Sequence, residues 1–225
     1  MEKITEYVFN GFTATIIMPE NPNGKWIWKT EFLYAFDDAE RALLNDGYTR
    51  VYYRISDMYG SYRAVRLMHD FHLDLLNRFP LCKKANLFGF SRGGLYAFNY
   101  ALFYPEYVDK IYLDAPVLDL RSWPWADSPE QSQMLKEYCL TKDTLKEFKG
   151  CPVYNFAEFF SHKIPMILVA GGKDEVVKFE DNSQKLIDYA ITHGENFKYV
   201  IKPECGHHPH SLTDITPILN FIEND

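Results

Sequence analysis

The sequence predicts an α/β protein in which a mostly parallel central sheet carries helices on both faces. Short apolar runs alternate with stretches of helical periodicity along most of the 225 residues. Residues 89–93 join one such run directly to a helical stretch. A composition that is 47% hydrophobic and 16% aromatic indicates a folded core. Strands that alternate with helices pair in parallel through right-handed crossovers, so we expect one large domain spanning residues 1–225.

The first half of the chain begins with a predicted hairpin. Residues 4–9 and 12–18 alternate roughly between apolar and polar side chains, and Asn10-Gly11 between them favours a type I′ turn. Further strands are predicted at residues 25–28, 50–55 and 85–88. Helices are predicted at residues 35–45, closed by Gly47, and at residues 61–79, which stop before Pro80.

The second half continues the alternation. A helix is predicted at residues 95–102, strands at residues 110–113, 165–170 and 197–201, and helices at residues 179–191 and 214–222. Residues 116–164 are longer than a crossover requires and contain a helix-like stretch at residues 132–138. We expect this insertion to form a small cap over the carboxyl edge of the sheet, where open α/β sheets bind ligands.

Charge and hydropathy exclude several classes of protein. The formal net charge is −7, and no run is rich in lysine or arginine, which argues against nucleic-acid binding and against adhesion to anionic membranes. No apolar stretch approaches the roughly 20 residues of a membrane span. The first residues lack the features of a secretory signal, so we expect a cytoplasmic protein. The four cysteines are widely spaced and are expected to be free thiols. The sequence leaves the oligomeric state open, a homodimer included.

Gly89-Phe90-Ser91-Arg92-Gly93 is the strongest functional signal in the chain. A strand, a G-x-S-x-G turn and a helix in this order form a nucleophile elbow, a tight turn that exposes the serine hydroxyl. Glycines beside the serine allow the strand and the helix to approach closely. We therefore predict that Ser91 is a nucleophile and that the backbone N–H of Arg92 meets negative charge on a substrate oxygen.

An acid and a histidine follow in suitable positions. Asp174 lies in a glycine-led loop after the strand at residues 165–170, and His207 lies in the loop after the strand at residues 197–201. Carboxyl ends of parallel strands meet at one edge of a sheet, so Ser91, Asp174 and His207 are expected to converge there.

These three motifs resemble those of the α/β-hydrolase superfamily, and the resemblance extends over nearly the whole chain. They are GFSRGG from position 89, GGKDEVV from position 171 and the Gly206-His207 pair. More narrowly, the chain is similar to esterase-like and prolyl-oligopeptidase-like members with a minimal cap. The resemblance implies a nucleophile at Ser91, an orienting carboxylate at Asp174, a general base at His207, a covalent acyl-enzyme and no cofactor.

Alternatives remain for two members of this set. Asp114 and Asp119 follow another strand at the same edge and could supply the acid. His208 and His210 could replace His207 as the base, although packing is the expected role of both. Three histidines so close in sequence raise the question of a metal. We predict no metal site, because Pro209 and the tight spacing make convergence awkward.

The second oxyanion donor is less clear, because the chain lacks the HGGG-type loop of lipase-like members. The backbone N–H of Lys29 is the first candidate, and that of Thr30 is a neighbour. The loop at residues 57–61, which contains Tyr59, is a further candidate.

The predicted substrate is a carboxylic ester of small or medium size. Aromatic side chains that could line its pocket, with core packing as the competing role, are Trp26, Trp28, Tyr59, Trp123 and Trp125. The Arg92 side chain is expected either to bind a substrate carboxylate or to pair with Glu175 or Asp114. An amidase or peptidase with the same residues is the alternative enzyme, and a non-catalytic ligand-binding protein is the alternative from another class.

Overall fold

The computed structural model describes residues 2–224, and within them eight strands form one sheet. The strands are β1 (Lys3–Phe9), β2 (Phe12–Met18), β3 (Trp26–Lys29), β4 (Thr49–Tyr53), β5 (Ala85–Phe90), β6 (Val108–Asp114), β7 (Met166–Gly171) and β8 (Lys198–Lys202). Their order is β1-β2-β4-β3-β5-β6-β7-β8. The first two pairings are antiparallel and every pairing from β4 to β8 is parallel, which confirms the predicted fold class.

Eight α-helices accompany the sheet within the same residues. They are α1 (Asp38–Asn45), α2 (Tyr62–Arg78), α3 (Gly93–Phe103), α4 (Pro129–Glu137), α5 (Lys142–Glu147), α6 (Phe156–Ser161), α7 (Ser183–His193) and α8 (Thr216–Glu223). None of these described helices is long and apolar enough to cross a membrane.

The hairpin at the start of the chain has the predicted turn. Asn10 and Gly11 both have positive φ angles, 45° and 84°, as a type I′ turn requires. Facing residues pair in register from Lys3 with Met18 to Phe9 with Phe12. Local sequence therefore decides this element.

Alternate residues of the parallel strands point to opposite faces, and each face has its own core. One core joins Trp28, Leu87 and Leu113 to the layer of α2, α3, α6 and α7. The other joins Ile27, Phe88 and Tyr112 to α1 and α8. Because both faces are covered, the central strands are apolar on both sides and expose functional groups only at their ends.

The bounds of several predicted helices differ from those of the structure, and two of these differences have a clear local cause. The helix predicted from residue 35 begins at Asp38, because Phe36 has a left-handed φ of 49° and the Ala35 N–H closes a turn onto the Phe32 carbonyl. The helix predicted at residues 179–191 is split into a 3₁₀ turn, Phe179–Asp181, and α7. Asn182 lies at the break, where its side-chain oxygen accepts hydrogen bonds from the N–H groups of Leu118 and Asp119.

The long excursion at residues 116–164 packs in part against the loop after β4 and the first turn of α3, and its role as a cap stays a prediction. Met134, Leu135 and Leu145 form a separate apolar cluster with Tyr59 and Leu95. Ser128 caps α4 by accepting a hydrogen bond from the Gln131 N–H, so this helix begins earlier than the predicted residues 132–138. The last part of the excursion packs on the body of the domain, because the phenylalanines of α6 lie in the same core as α3.

Candidate active site

Ser91 lies in a tight turn between β5 and α3. Its φ is 50°, a left-handed conformation that is uncommon for serine, and its N–H donates to the Asp114 carbonyl at 2.9 Å. A Cβ on Gly89 would lie 2.8 Å from the Cβ of Ala97, and one on Gly94 would lie 2.4 Å from the Cβ of Pro116. The close contact between strand, helix and following loop therefore requires glycine on both sides of the serine.

Asp174 lies in the loop that leaves β7. One of its carboxylate oxygens, Oδ1, accepts hydrogen bonds from the backbone N–H groups of Val176 at 3.0 Å and Val177 at 2.9 Å. The side chain is buried. The chain that follows the carboxylate thus fixes its orientation and leaves Oδ2 for another partner.

His207 lies between these two groups. Its Nδ1 is 2.7 Å from Oδ2 of Asp174, and its Nε2 is 3.0 Å from Oγ of Ser91. An ionised carboxylate only accepts hydrogen bonds, so Nδ1 carries the proton and Nε2 is free to accept the serine proton. The structure brings the three predicted residues into one hydrogen-bonded chain in the order needed to activate a serine hydroxyl.

The acid and histidine loops touch through their glycines. A Cβ on Gly171 would lie 2.0 Å from the Gly206 carbonyl oxygen and 2.6 Å from that of Cys205. The two loops can lie this close only because residue 171 has no side chain.

The alternative acids and bases have other partners. Asp114 is paired with His210, whose Nδ1 lies 2.7 Å from its Oδ1. Asp119 is paired with Arg121 and Lys185, and the ring of His208 is exposed. None of them contacts Ser91 through its side chain.

Arg92 presents two different groups. Its backbone N–H makes no hydrogen bond to any described residue, and it follows Ser91 directly, as an oxyanion donor must. Its guanidinium lies 3.5 Å from the Glu31 carboxylate and 5.3 Å from the centre of the Phe32 ring. The expectation that this side chain pairs with Glu175 or Asp114 is wrong, because the loop after β3 brings Glu31 closer.

The prediction that the Lys29 N–H is the second donor is also wrong. Alternate peptide groups of a strand point to opposite neighbours, and the Thr30 N–H donates to the Phe88 carbonyl of β5 at 3.0 Å. The Lys29 N–H is therefore directed to β4, away from Ser91. Its side chain is buried against Glu40, with Nζ 3.2 Å from the centre of the Phe90 ring. Burial lowers the pKa of this ammonium, and Glu40 opposes the effect.

Thr30 is also excluded as the second oxyanion donor, because its N–H already donates to the Phe88 carbonyl. Its hydroxyl donates to the Gly93 carbonyl at 2.8 Å and also lies 3.1 Å from the Phe88 carbonyl. The next peptide, that of Glu31, lies against the elbow: a Cβ on Gly93 would be 3.5 Å from the Glu31 nitrogen. That N–H makes no hydrogen bond within residues 2–224.

Glu31 was not singled out by the sequence reasoning. Its side chain is only 2% exposed, and Oε2 accepts a hydrogen bond from Ser56 at 3.0 Å, while Oε1 has no partner among the described residues. Burial raises the pKa of the carboxyl, with Arg92 opposing the shift. The sequence pattern that could have identified Glu31 is an acidic residue directly after a buried strand.

The predicted aromatic pocket is largely not assembled. Trp26 and Trp28 are buried between the sheet and α2, so a pocket-lining role for them is wrong. Tyr59 is 1% exposed and packs under the inserted segment, 6.2 Å from the Trp123 ring. Trp125 is 61% exposed. Substrate binding by Tyr59, Trp123 and Trp125 stays a prediction, because the structure describes no contact between them and Ser91.

The three histidines do converge, contrary to the sequence argument about Pro209. The rings of His207, His208 and His210 lie 4.8 to 4.9 Å apart, and their ligand atoms lie within 4.8 Å of one another. Nδ1 of His207 already bonds to Asp174, and Nδ1 of His210 to Asp114. Nε2 of His207 bonds to Ser91. The absence of a metal stays a prediction.

An open groove of about 1420 Å³ has Arg92, which follows the serine in sequence, among its lining residues. It continues past Ser56, Asp57 and Met58 toward Glu137 and Tyr138 of the inserted segment. Ser91, Asp174 and His207 are not among its lining residues, so it adjoins the three-residue chain rather than containing it.

Comparison with known proteins supports the architecture. Residues 46–141 match the family model described as the alpha/beta hydrolase fold. Among curated proteins, none matches the sequence. The structure is similar to a puromycin-hydrolysing peptidase of Mycobacterium tuberculosis, with a TM-score of 0.72 and 13% identity over 97% of this chain and 37% of that one.

Two smaller proteins are matched over most of their length. They are the fluorophosphonate-binding serine hydrolase FphF of Staphylococcus aureus and the carboxylesterase CesB of Bacillus subtilis. The TM-scores are 0.67 and 0.63, at 15% and 14% identity. The matches cover 92% of this chain and 92% of the first protein, and 100% of this chain and 93% of the second. This chain spans little more than a third of the peptidase and nearly all of these two. At such identities the similarity shows the fold alone.

Proposed function

Since this chain has the α/β-hydrolase fold, we propose that it is a serine hydrolase that cleaves carboxylic esters of small or medium substrates through an acyl-enzyme on Ser91. The observation that carries the proposal is the chain of hydrogen bonds from Asp174 through His207 to Ser91, at 2.7 and 3.0 Å. Two further elements of the site, the strained serine and the glycine contacts around it, fit the same chemistry.

The proposed reaction begins when His207 takes the hydroxyl proton of Ser91 through Nε2. The oxygen attacks the ester carbonyl, and the imidazolium then gives the proton to the leaving alcohol. Asp174 stabilises the imidazolium and keeps Nδ1 protonated. Its Oδ1 is held by two backbone N–H groups, so it does not rotate away when the charge forms. Water repeats the sequence to release the acid.

Backbone N–H groups of Arg92 and Glu31 are the proposed oxyanion donors. Neither donates to another described group. Arg92 follows Ser91 directly, and the Glu31 nitrogen would lie 3.5 Å from a Cβ on Gly93, two residues after the serine. The Glu31 carboxylate lies against the Arg92 guanidinium, which limits its repulsion of a developing oxyanion. The groove that Arg92 helps to line offers room for the remainder of the substrate.

An ester is preferred over an amide because the two proteins matched over nearly their whole length are a serine hydrolase and a carboxylesterase. The peptidases share only about a third of their length with this chain. An amidase with the same three residues remains the competing enzyme.

The test is covalent labelling of the purified protein by a fluorophosphonate probe, together with turnover of p-nitrophenyl acetate and butyrate. Wild type should be labelled and should turn over both esters. Ser91→Ala should lose the label and about 10³-fold or more of the rate, as expected when a nucleophile is removed. Ser132→Ala is the matched control, because Ser132 is exposed on α4, and it should behave as wild type.

Three results would refute parts of the proposal. Full labelling of Ser91→Ala would show that the elbow is not the nucleophile. Faster turnover of a matched p-nitroanilide than of the ester would favour the amidase. Ligand binding by wild type without label or turnover would favour a binding protein on a hydrolase scaffold.

A further inference from the structure

A second buried histidine–carboxylate pair lies beside the proposed active site. Nδ1 of His210 is 2.7 Å from Oδ1 of Asp114, and the two side chains are 4% and 1% exposed. Neither residue belongs to the chain of Asp174, His207 and Ser91. A buried carboxylate is costly unless its oxygens are hydrogen-bonded, so this pair requires an explanation.

Asp114 contacts both the turn that carries Ser91 and the loop that carries His207. Its Oδ2 accepts hydrogen bonds from the Tyr112 hydroxyl at 2.6 Å and from the Ser211 N–H at 2.8 Å. Its backbone carbonyl accepts the N–H of Ser91 at 2.9 Å. One residue at the end of β6 therefore holds the nucleophile through its main chain and the histidine loop through its side chain.

Other hydrogen bonds also hold the histidine loop by its backbone carbonyls. The Lys173 N–H donates to the Cys205 carbonyl at 2.9 Å, the Cys205 thiol to that of His208 at 3.3 Å, and Lys202 Nζ to that of Pro209 at 2.5 Å. The two hydrogen bonds of the His207 ring go to Asp174 and Ser91, and these orient the ring without holding the backbone. The chain after it is tied to Asp114 through His210 and Ser211, and to Lys202, which donates to the Ser211 carbonyl at 3.0 Å.

The ring of His210 also supports the His207 ring directly. The two rings meet edge to face with their centres 4.8 Å apart. Phe36 and Phe90 pack against His210 at 5.3 and 5.5 Å. His210 is thus clamped by its hydrogen bond and by two aromatic rings, and it forms one wall of the space that His207 occupies.

We propose that Asp114 and His210 are positioning residues that hold the His207 loop, so that Nε2 of His207 stays within hydrogen-bonding distance of the Ser91 hydroxyl. This role rests on the proposed hydrolase function, in which His207 is the base. A displacement of about 1 Å at a reacting group can cost about 100-fold in rate, so a positioning pair of this kind has a measurable effect.

The experiment compares His210→Leu, which removes the donor, with His210→Asn, whose amide N–H can still donate to Asp114. Thr213→Ala is the control, because Thr213 is an exposed residue in the same loop, three positions after His210. For each folded variant we would measure the fluorophosphonate labelling rate, kcat and KM for p-nitrophenyl acetate, and the thermal midpoint. The proton NMR signal of His207 Nδ1–H, which the short bond to Asp174 should move far downfield, is recorded as well.

In His210→Leu the labelling rate and kcat should fall by about 10- to 100-fold with KM little changed, and the downfield signal should broaden or vanish. His210→Asn should recover most of the loss, and Thr213→Ala should match wild type. A His210→Leu protein with the wild-type labelling rate and signal, and only a lowered midpoint, would overturn the inference and leave a structural role.

Two measures keep the outcome decisive. If His210→Leu does not fold, Tyr112→Phe removes one hydrogen bond from Asp114 and should lower the labelling rate by a few-fold; an unchanged rate would overturn the inference. If wild type is not labelled at all, the proposed function fails. The downfield signal of His207, which needs no activity, then still decides whether His210 positions that ring.

Discussion

The hydroxyl of Thr30 donates a hydrogen bond to the Gly93 carbonyl at 2.8 Å, joining the loop after β3 to the first turn of the helix after Ser91. The same hydroxyl reaches the Phe88 carbonyl at 3.1 Å. Thr30 therefore fixes the distance between the Glu31 and Arg92 peptides, the two proposed oxyanion donors.

Thr30→Val tests this connection with little change in volume. It should lower kcat by about 10-fold, because the two donors are no longer held together, and it should cost about 1 kcal/mol of stability for the lost hydrogen bond. Thr30→Ser keeps the hydroxyl and should retain most of the activity. Steady-state kinetics and urea unfolding measure both effects; equal kcat in Thr30→Val and wild type would contradict the role.

The contact between the acid loop and the histidine loop predicts a sharp difference between two glycines. Gly171→Ala should abolish most labelling by fluorophosphonate, since its Cβ would overlap the Gly206 carbonyl at 2.0 Å and force Asp174 and His207 apart. Gly206→Ala should be tolerated, because its Cβ would meet only the Lys173 carbonyl, at 3.6 Å. Similar labelling rates in the two variants would show that the loops do not need this contact.

The buried pair of Lys29 and Glu40 predicts a structural rather than a catalytic effect. Lys29→Met should cost about 3–5 kcal/mol, because it leaves the Glu40 carboxylate buried without its cation. Lys29→Met combined with Glu40→Leu should recover much of that loss, whereas Lys146→Met, in an exposed pair, should cost less than about 1 kcal/mol. Chemical denaturation gives these values.

The same lysine variant also tests whether Lys29 takes part in the oxyanion site. The folded fraction of Lys29→Met should be labelled at the wild-type rate, since neither the side chain nor the N–H of Lys29 faces the serine. A much slower labelling rate in fully folded protein would contradict that placement.

His72 predicts a pH dependence of stability. Its Nε2 lies 2.8 Å from the Lys83 carbonyl and its Nδ1 lies 2.7 Å from the Tyr100 hydroxyl, so the buried ring is neutral. Burial lowers its pKa from 6.5 to about 4. Below pH 6.5 the histidine binds a proton in the unfolded chain but stays neutral in the folded protein. The contribution of His72 to the free energy of unfolding is therefore complete above pH 6.5 and is lost as the pH falls toward 4.

The loss should amount to about 3 kcal/mol over that range. Urea unfolding of wild type between pH 7.5 and 4 should show it. His72→Gln should have a flatter profile, because glutamine does not titrate, although it will be less stable at neutral pH. Parallel profiles for the two proteins would show that other groups cause the acid sensitivity.

The sequence by itself determined the elements whose causes are local. Asn10-Gly11 specifies the hairpin turn, Pro80 ends α2, and the glycines around Ser91 permit the elbow. The motifs at residues 89, 171 and 206 were sufficient to select Ser91, Asp174 and His207, because loops after neighbouring parallel strands must meet at one edge. Their catalytic roles remain the proposal stated above.

The tertiary structure alone decided how the groups around this core are paired. Which peptide after β3 faces the serine depends on the register of β3 with β5, and a shift of one residue exchanges Lys29 for Thr30. The pairing of Arg92 with Glu31, and of His210 with Asp114, joins residues far apart in the chain whose approach is set by the packing of separate loops. No local pattern encodes such distances, since they arise only when every strand has taken its place in the sheet.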